Sequence, residues 1–458
     1  MNPIEPIYAS KTYKEYIQYN AYNLSVTPAS GNPKLLVIPV WFTDSNQFID
    51  VTHKEAVRQR IETAYFGSEA DTGWQSVKTF YEYESHGKLT ITGTVSDWYE
   101  DSLGYASYGP EEEGLEKTMA LVDKAVKWYF EQNPTDNRRN YDSDKNGYLD
   151  GVMLIYGAPN YSNMYNSYNM DNLWAYCYWL QSLGNNSRFN PGPNVFFWAS
   201  YDFVDEDVRY VDTDAHTYIH EMGHVFGLED YYDYNSNYSF AGKFSMQDQN
   251  VGGHDAYSSF ALGWGKAYIP TESMIIDLKP FATTGEMIIL SPSWNSANSA
   301  FDEYLILEYY TPEGMNEMDS DIAYRGYGPK GSDQVGIRLW HVDSRLDTYD
   351  GYDFVATDET DPSVARSVSL RYDNSYNNDA TNGYHLLQLI RNDKKESYNA
   401  RSEFKTSSMF RTNETFSMST YKSQFKNSGK LNSGESLGYT FTVNSLSTES
   451  ARITITKA

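Results

Sequence analysis

The chain carries one cysteine, Cys177, in 458 residues, so no disulfide can form within it. Cysteine usage alone points weakly to a reducing compartment, because exported proteins also do without disulfides. No stretch approaches the roughly 18 consecutive apolar residues of a membrane span, and the mean hydropathy is -0.63. Positive charge is scarce. With 36 Lys and Arg against 62 Asp and Glu the formal charge is -26, and the isoelectric point is near 4.6. Such a field repels nucleic acid and anionic membrane surfaces, which argues against both as partners. The opening residues Met1-Asn2-Pro3-Ile4-Glu5 show neither the basic nor the apolar region of a signal peptide, so none is expected there.

Aromatic residues are plentiful: 42 Tyr and 10 Trp bring the aromatic share to 16%. That fits sugar-binding or adhesive surfaces as well as a core. A chain of this length exceeds what one core can hold, so two or three domains are expected. Residues 1–33 are polar and tyrosine-rich and read as a poorly packed arm or the remnant of a pro-segment. Residues 34–269 mix strand and helix patterns, and residues 270–458 turn to short apolar or alternating runs between Gly-, Asn- and Ser-rich turns, as in a β-sandwich.

The first strand signal is the apolar run from Leu35 to Phe42, of a kind buried on both faces. Pro39 lacks a ladder donor, so it demands either a bulge or an amide position turned away from a neighbouring strand. A helix follows with Val57, Ile61, Ala64 and Tyr65 on one face and Gly67 as its stop; another runs through Val77, Phe80 and Tyr81 towards Gly87. Leu89 to Val95 alternates as a strand, and a long amphipathic helix carries Leu115, Met119, Val122, Val126 and Tyr129. This order predicts a sheet packed against helices. Residues 160–194 read as surface loops, with Cys177 a small packed side chain. Val195 to Tyr201 is then a strand, and the expected edge along which an extended peptide would pair.

Between the long helix and the strand Val152 to Tyr156 lies Asp142-Ser143-Asp144-Lys145-Asn146-Gly147-Tyr148-Leu149-Asp150. Oxygen-bearing residues alternate around a glycine, as in the first half of a calcium loop, with Asp142, Asp144, Asn146, the Tyr148 carbonyl and Asp150 as candidate ligands. Met153 stands where the full pattern has a bidentate glutamate, so Asp150 would have to supply that carboxylate.

The most specific stretch is His220-Glu221-Met222-Gly223-His224-Val225-Phe226-Gly227-Leu228-Glu229-Asp230. On a helix, residues four apart share a face, so His220 and His224 can offer two imidazoles to one ion. Glu221 is then placed to reach a water on that ion, the general-base position of H-E-x-x-H metallopeptidases. Gly227 can take positive φ and turn the chain back, and Asp230 follows at the offset where extended forms of the motif carry a third ligand. His216 shares the same helix face but reads as a packing or supporting residue. Glu229 and Asp233 compete with Asp230 less well by spacing. Met246 is placed to form an apolar floor under the metal, and His254 and Tyr257 are candidate oxyanion donors, His254 equally an ordinary surface residue. His53, His86, His341 and His385 are scattered and read as structural.

From about Lys34 onward the chain resembles the immune inhibitor A-like secreted bacterial metallopeptidases. The likeness rests on the motif from His220 to Asp230, on Gly87-Lys88-Leu89-Thr90, Asp142 to Asp150, Ser245-Met246, Leu262-Gly263-Trp264 and Leu339-Trp340-His341-Val342-Asp343. It implies an α+β architecture: a zincin- or metzincin-like catalytic domain with a mixed sheet and an active-site helix, followed by a β-rich, sandwich-like C-terminal domain. It further implies an exported endopeptidase made with a pro-segment, zinc on His220, His224 and Asp230, Glu221 as base, structural calcium, and an extended protein or peptide substrate. The competing expectation is a non-catalytic surface or glycan-binding protein with a structural zinc site, against which the intact Glu221 speaks.

Overall fold

The computed structural model describes residues 2–14, 25–180, 186–206, 213–234, 239–326, 328–349, 354–355, 367–376, 383–393 and 403–458. The architecture is mixed α/β, and the chain divides into two compact units. One comprises residues 21–83 and 87–227, the other residues 1–20, 84–86 and 228–458. Among the described residues no helix is long and apolar enough to cross a membrane.

The first unit is organised around the strand Lys34–Trp41, whose side chains from Leu35 onward are all buried. Its sheet runs in the order Thr92–Val95, Lys34–Trp41, Val152–Tyr156, Val195–Ser200, Tyr176–Trp179, with Tyr99–Glu100 also paired to Lys34–Trp41. Every pairing is parallel except the last, where Tyr176–Trp179 runs antiparallel to Val195–Ser200. Pro39 fits for the second of the two expected reasons. The Leu36 amide donates to Gly151 O towards the Val152–Tyr156 strand, so the alternate positions 35, 37 and 39 face the other way. On that side Thr92–Val95 ends opposite Val37 and Tyr99–Glu100 begins opposite Val40, which leaves Pro39 facing the gap.

Helices cover both faces of this sheet. Leu121, Val122, Ala125, Val126 and Tyr129 of the helix Glu111–Gln132 share one apolar cluster with Leu36, Ile38, Val40, Leu154, Phe196 and Trp198. Side chains alternate across a strand, so Phe197 points to the opposite face. There it meets Tyr218 of the helix His216–Val225, with ring centroids 5.5 Å apart. Two expectations change. Among the described residues Val195–Ser200 is an interior strand, and Tyr176–Trp179, expected as surface loop, is a strand at one end of the sheet order.

In the second unit one sheet runs Ile7–Tyr8, Lys266–Tyr268, Glu286–Leu290, Glu303–Tyr310, Gly336–Asp343, Leu387–Ile390. Another runs Thr415–Phe416, Tyr439–Leu446, Ala451–Lys457, Met274–Leu278. Leu305, Leu307, Ile337 and Leu339 of the first sheet share an apolar cluster with Phe441, Val443, Ile453 and Ile455 of the second. Part of the described N-terminal stretch, residues 2–14, packs on this unit. Ile7 and Tyr8 pair with Ala267 and Lys266, and the buried Tyr13 sets its hydroxyl 3.0 Å from that of Tyr257.

Candidate metal centre

The helix His216–Val225 is buried over nearly its whole length, with Tyr218, Ile219, Met222 and Val225 at 3% exposure or less. Tyr218 donates to Ser200 O at 2.9 Å, and Tyr81 donates to Ile219 O at 2.7 Å, so the helix is tied to strand and neighbouring helix alike. It ends where the sequence places the stop. The Gly227 amide donates to His224 O at 2.9 Å, and Gly227 itself sits at φ +107, a conformation that a Cβ would strain.

One ligand atom from each of His220, His224 and Asp230 lies within 4.8 Å of the others, and all three side chains are buried or half-buried. The two Nε2 atoms stand 3.1 Å apart with the rings at 81°. Two nitrogens bound at 2.0–2.1 Å to a tetrahedral ion would be separated by about 3.3 Å. The pair is thus spaced as zinc requires, and two imidazoles with a carboxylate are a donor set of catalytic zinc type, which leaves a fourth position for water. Glu221, between the histidines in sequence, is buried at 6% exposure.

The cluster takes in Asp230 and neither Glu229, which is exposed, nor Asp233, which is buried. His216 lies outside it as well. Its Nδ1 is 2.7 Å from Asp214 Oδ1, and its ring stacks on Trp74 at 3.9 Å and 7°. Met246 is fully buried at the start of a short helix, Met246–Gln249, and the Tyr231 amide donates to Gln247 O at 2.9 Å, which ties this turn to the chain just past Asp230. His254 is not at the surface: it is 1% exposed, its ring near Trp264 and its amide bonded to Glu84 Oε2 at 3.0 Å. Tyr257 is buried with its hydroxyl against Tyr13.

Of the remaining histidines, His53 and His86 are exposed. His341 Nε2 lies 2.9 Å from Glu303 Oε1, and His385 stacks on Phe240. Cys177 is half-buried and forms no disulfide.

Sequence reasoning missed the groups around Asp230. Tyr234 donates to Asp230 Oδ2 at 2.5 Å, and the surrounding protein together with that carboxylate holds the phenol well above its ordinary pKa, so it stays a donor at neutral pH. Ser375 Oγ donates to Asp230 O at 3.2 Å from 145 residues downstream, a contact no local spacing announces. Glu84 is also unheralded. Burial pushes its carboxyl up to about 8 beside the Glu308 and Asp255 carboxylates.

The Asp142 loop offers calcium no support. Asp142 Oδ1 and Oδ2 accept from the Asn146 and Gly147 amides at 2.9 and 3.1 Å. Asp144 Oδ1 accepts from the Asn146 amide at 3.2 Å, and Asn146 Oδ1 from the Tyr148 amide at 2.8 Å. Asp150 Oδ1 and Oδ2 accept from the Ser143 and Lys34 amides at 3.0 and 2.9 Å, and burial pushes its carboxyl up to about 6. These residues satisfy one another and the main chain as a turn. Among the described residues, Asp142, Asp144 and Asp150 do not form a group of converging carboxylates like the one at His220.

Residues 29–248 match the catalytic-domain profile of the immune inhibitor A peptidase M6 family. This part of the chain is similar to M6 catalytic domains. It is also 23% identical over 232 residues to the pre-pro-metalloprotease PrtV of Vibrio cholerae serotype O1, in strain M66-2 and in strain ATCC 39315 / El Tor Inaba N16961. The match covers 44% of this chain and 25% of each relative, so the chain spans about a quarter of the length of the curated relatives it matches. The matched segment begins just before the strand Lys34–Trp41 and ends just past Met246, so it contains the sheet, the motif helix and Asp230.

Proposed function

We propose that the M6 domain, taken as residues 34–269, is a zinc-dependent endopeptidase that acts outside the cell on extended protein substrates. The convergence of His220, His224 and Asp230 on one point carries the reading. Zinc held there would acidify a water molecule and polarise the scissile carbonyl.

The chain's own residues do the rest. His220 and His224 present Nε2 from one helix face, and Asp230 adds the charge that offsets part of the cation's. Glu221, on the same helix, takes the proton from the attacking water and delivers it to the amine nitrogen as the carbon–nitrogen bond breaks, so one carboxylate serves as base and then as acid. The buried helix keeps that carboxylate largely out of bulk solvent, at 6% exposure. For the substrate, an extended peptide would pair along the strand Tyr176–Trp179, which ends the strand order of the sheet, with side-chain pockets left to set selectivity. Residues 270–458 are proposed as a β-rich, sandwich-like C-terminal domain.

Glu221→Gln tests the reading. The variant should bind one zinc per chain by metal analysis and lose casein cleavage by a factor of at least about 100, as removal of a general base does. Activity near that of the parent would overturn the mechanism, and a chain that binds no zinc would overturn the metal centre.

A further inference from the structure

One distant segment holds the loop that carries Asp230 through two side chains. The Asp230 carbonyl accepts from Ser375 Oγ at 3.2 Å, and the Tyr231 carbonyl from Asn374 Nδ2 at 3.0 Å. Asn374 Nδ2 also donates to Leu387 O at 2.8 Å, and its Oδ1 accepts from the Leu387 amide at 3.2 Å. Leu387 opens the strand Leu387–Ile390, which pairs with Gly336–Asp343 inside the larger sheet of the second unit. A rigid sheet is thus connected through two side chains to the backbone of the acidic ligand. Both Asn374 and Ser375 are buried, at 0% and 4% exposure.

The same segment also places a side chain on the ligand's carboxylate. The Tyr234 amide donates to Ser375 O at 2.9 Å, and the Tyr234 ring meets Tyr376 edge-on at 5.0 Å and 89°. Held at both backbone and ring, Tyr234 sets its hydroxyl on Asp230 Oδ2 at 2.5 Å. The hydrogen bond from Tyr234, itself 49% exposed, restrains the carboxylate's rotation about the Cβ–Cγ bond and biases it towards presenting Oδ1 to a metal.

We propose that Tyr234, buttressed by Asn374, Ser375 and Tyr376, is a positioning residue that fixes Asp230 as a single-oxygen metal ligand, so that the C-terminal half of the chain helps to build the metal centre. The inference rests on the zinc reading given above. The geometry favours this role over one in substrate contact, because the hydroxyl is spent on the ligand's own carboxylate. Outer partners of metal ligands are worth about 10–100-fold in metal affinity, and that range sets the expectation.

The test is zinc affinity of the full chain, read by competition with a chromophoric chelator, together with the visible spectrum of the cobalt(II)-substituted protein. Tyr234→Phe removes only the hydroxyl and keeps the ring packing. It should weaken zinc binding by about 10–100-fold and shift the cobalt bands, while thermal unfolding of the metal-free protein stays unchanged. Ser375→Ala should act in the same direction. Asp230→Ala separates the two claims. If it weakens zinc binding and Tyr234→Phe leaves both affinity and spectrum unaltered, the positioning role is overturned and the ligand set stands. If Asp230→Ala itself leaves zinc affinity unchanged, the zinc reading falls and the positioning role with it. Should Tyr234→Phe destabilise the metal-free protein as much as it weakens zinc binding, the role is structural and the proposal fails.

Discussion

Glu308 and Arg338 form a buried ion pair at 0% and 2% exposure on the neighbouring strands Glu303–Tyr310 and Gly336–Asp343. Arg338 donates through Nε to Glu308 Oε1 at 2.8 Å and through its second terminal nitrogen to the same oxygen, and it reaches Phe244 O at 3.0 Å. Glu308 Oε2 accepts from the Trp340 indole at 2.7 Å and from the Ala256 amide at 3.2 Å. The pair therefore pins both ends of the stretch from Phe244 to Ala256, which contains Met246. Glu308→Leu leaves a guanidinium buried without its counter-charge, and Arg338→Met leaves a carboxylate in the same plight. Loss of one partner of a buried pair costs about 3–5 kcal/mol, whereas loss of both strands no charge. Each single variant should thus lose about 3–5 kcal/mol, and the double variant should lose less than the sum by about 2 kcal/mol, a coupling of the size found for networked neighbours. Urea unfolding followed by tryptophan fluorescence measures all four forms. Single losses under about 1 kcal/mol, or additivity within about 0.5 kcal/mol, would refute the claim that this pair is electrostatically coupled in a dry interior.

Further outcomes are expected. Glu84 is protonated in the folded chain up to about pH 8 but has an ordinary value of 4.5 when exposed, so the folded state binds more protons between those limits. Stability should accordingly fall as pH rises from about 4.5 to about 8, by at most about 1.4 kcal/mol per pH unit. Glu84→Gln, which keeps an acceptor for the His254 amide, should flatten that dependence; an unchanged slope in urea unfolding across this range would count against it. Gly227→Ala should cost about 1–2 kcal/mol because alanine is strained at φ +107, measurable by the same unfolding assay. Chelation should abolish peptidase activity and added zinc should restore it, whereas activity that survives complete metal removal would contradict the proposed chemistry.

Much of the site was legible because it is local. A helix brings His220 and His224 together through its own period, and Gly227 turns the chain within a few residues of Asp230, so spacing alone carries the geometry. The buried strand Lys34–Trp41 was legible for a similar reason, since burial on both faces leaves a continuous apolar run. What escaped was decided at a distance. Tyr176–Trp179 is tyrosine-rich and half-buried, with none of the clean alternation that marks a strand, and it is a strand because Val195–Ser200 offers it an edge. Ile7–Tyr8 is too short to carry any period, and its partner lies more than 250 residues away. The calcium reading finds no support, through a different ambiguity. Alternating Asp and Asn around a glycine serve equally well to accept main-chain amides in a tight turn, and here the amides hold those oxygens.

Cys177, the chain's sole thiol, sits on the edge strand Tyr176–Trp179, opposite Phe197. A fluorophore attached by maleimide chemistry would therefore label one defined place without any background cysteine to remove. Its emission, or the rate at which the unlabelled sulfur reacts, would give an optical signal of occupancy along that edge in an otherwise unaltered protein.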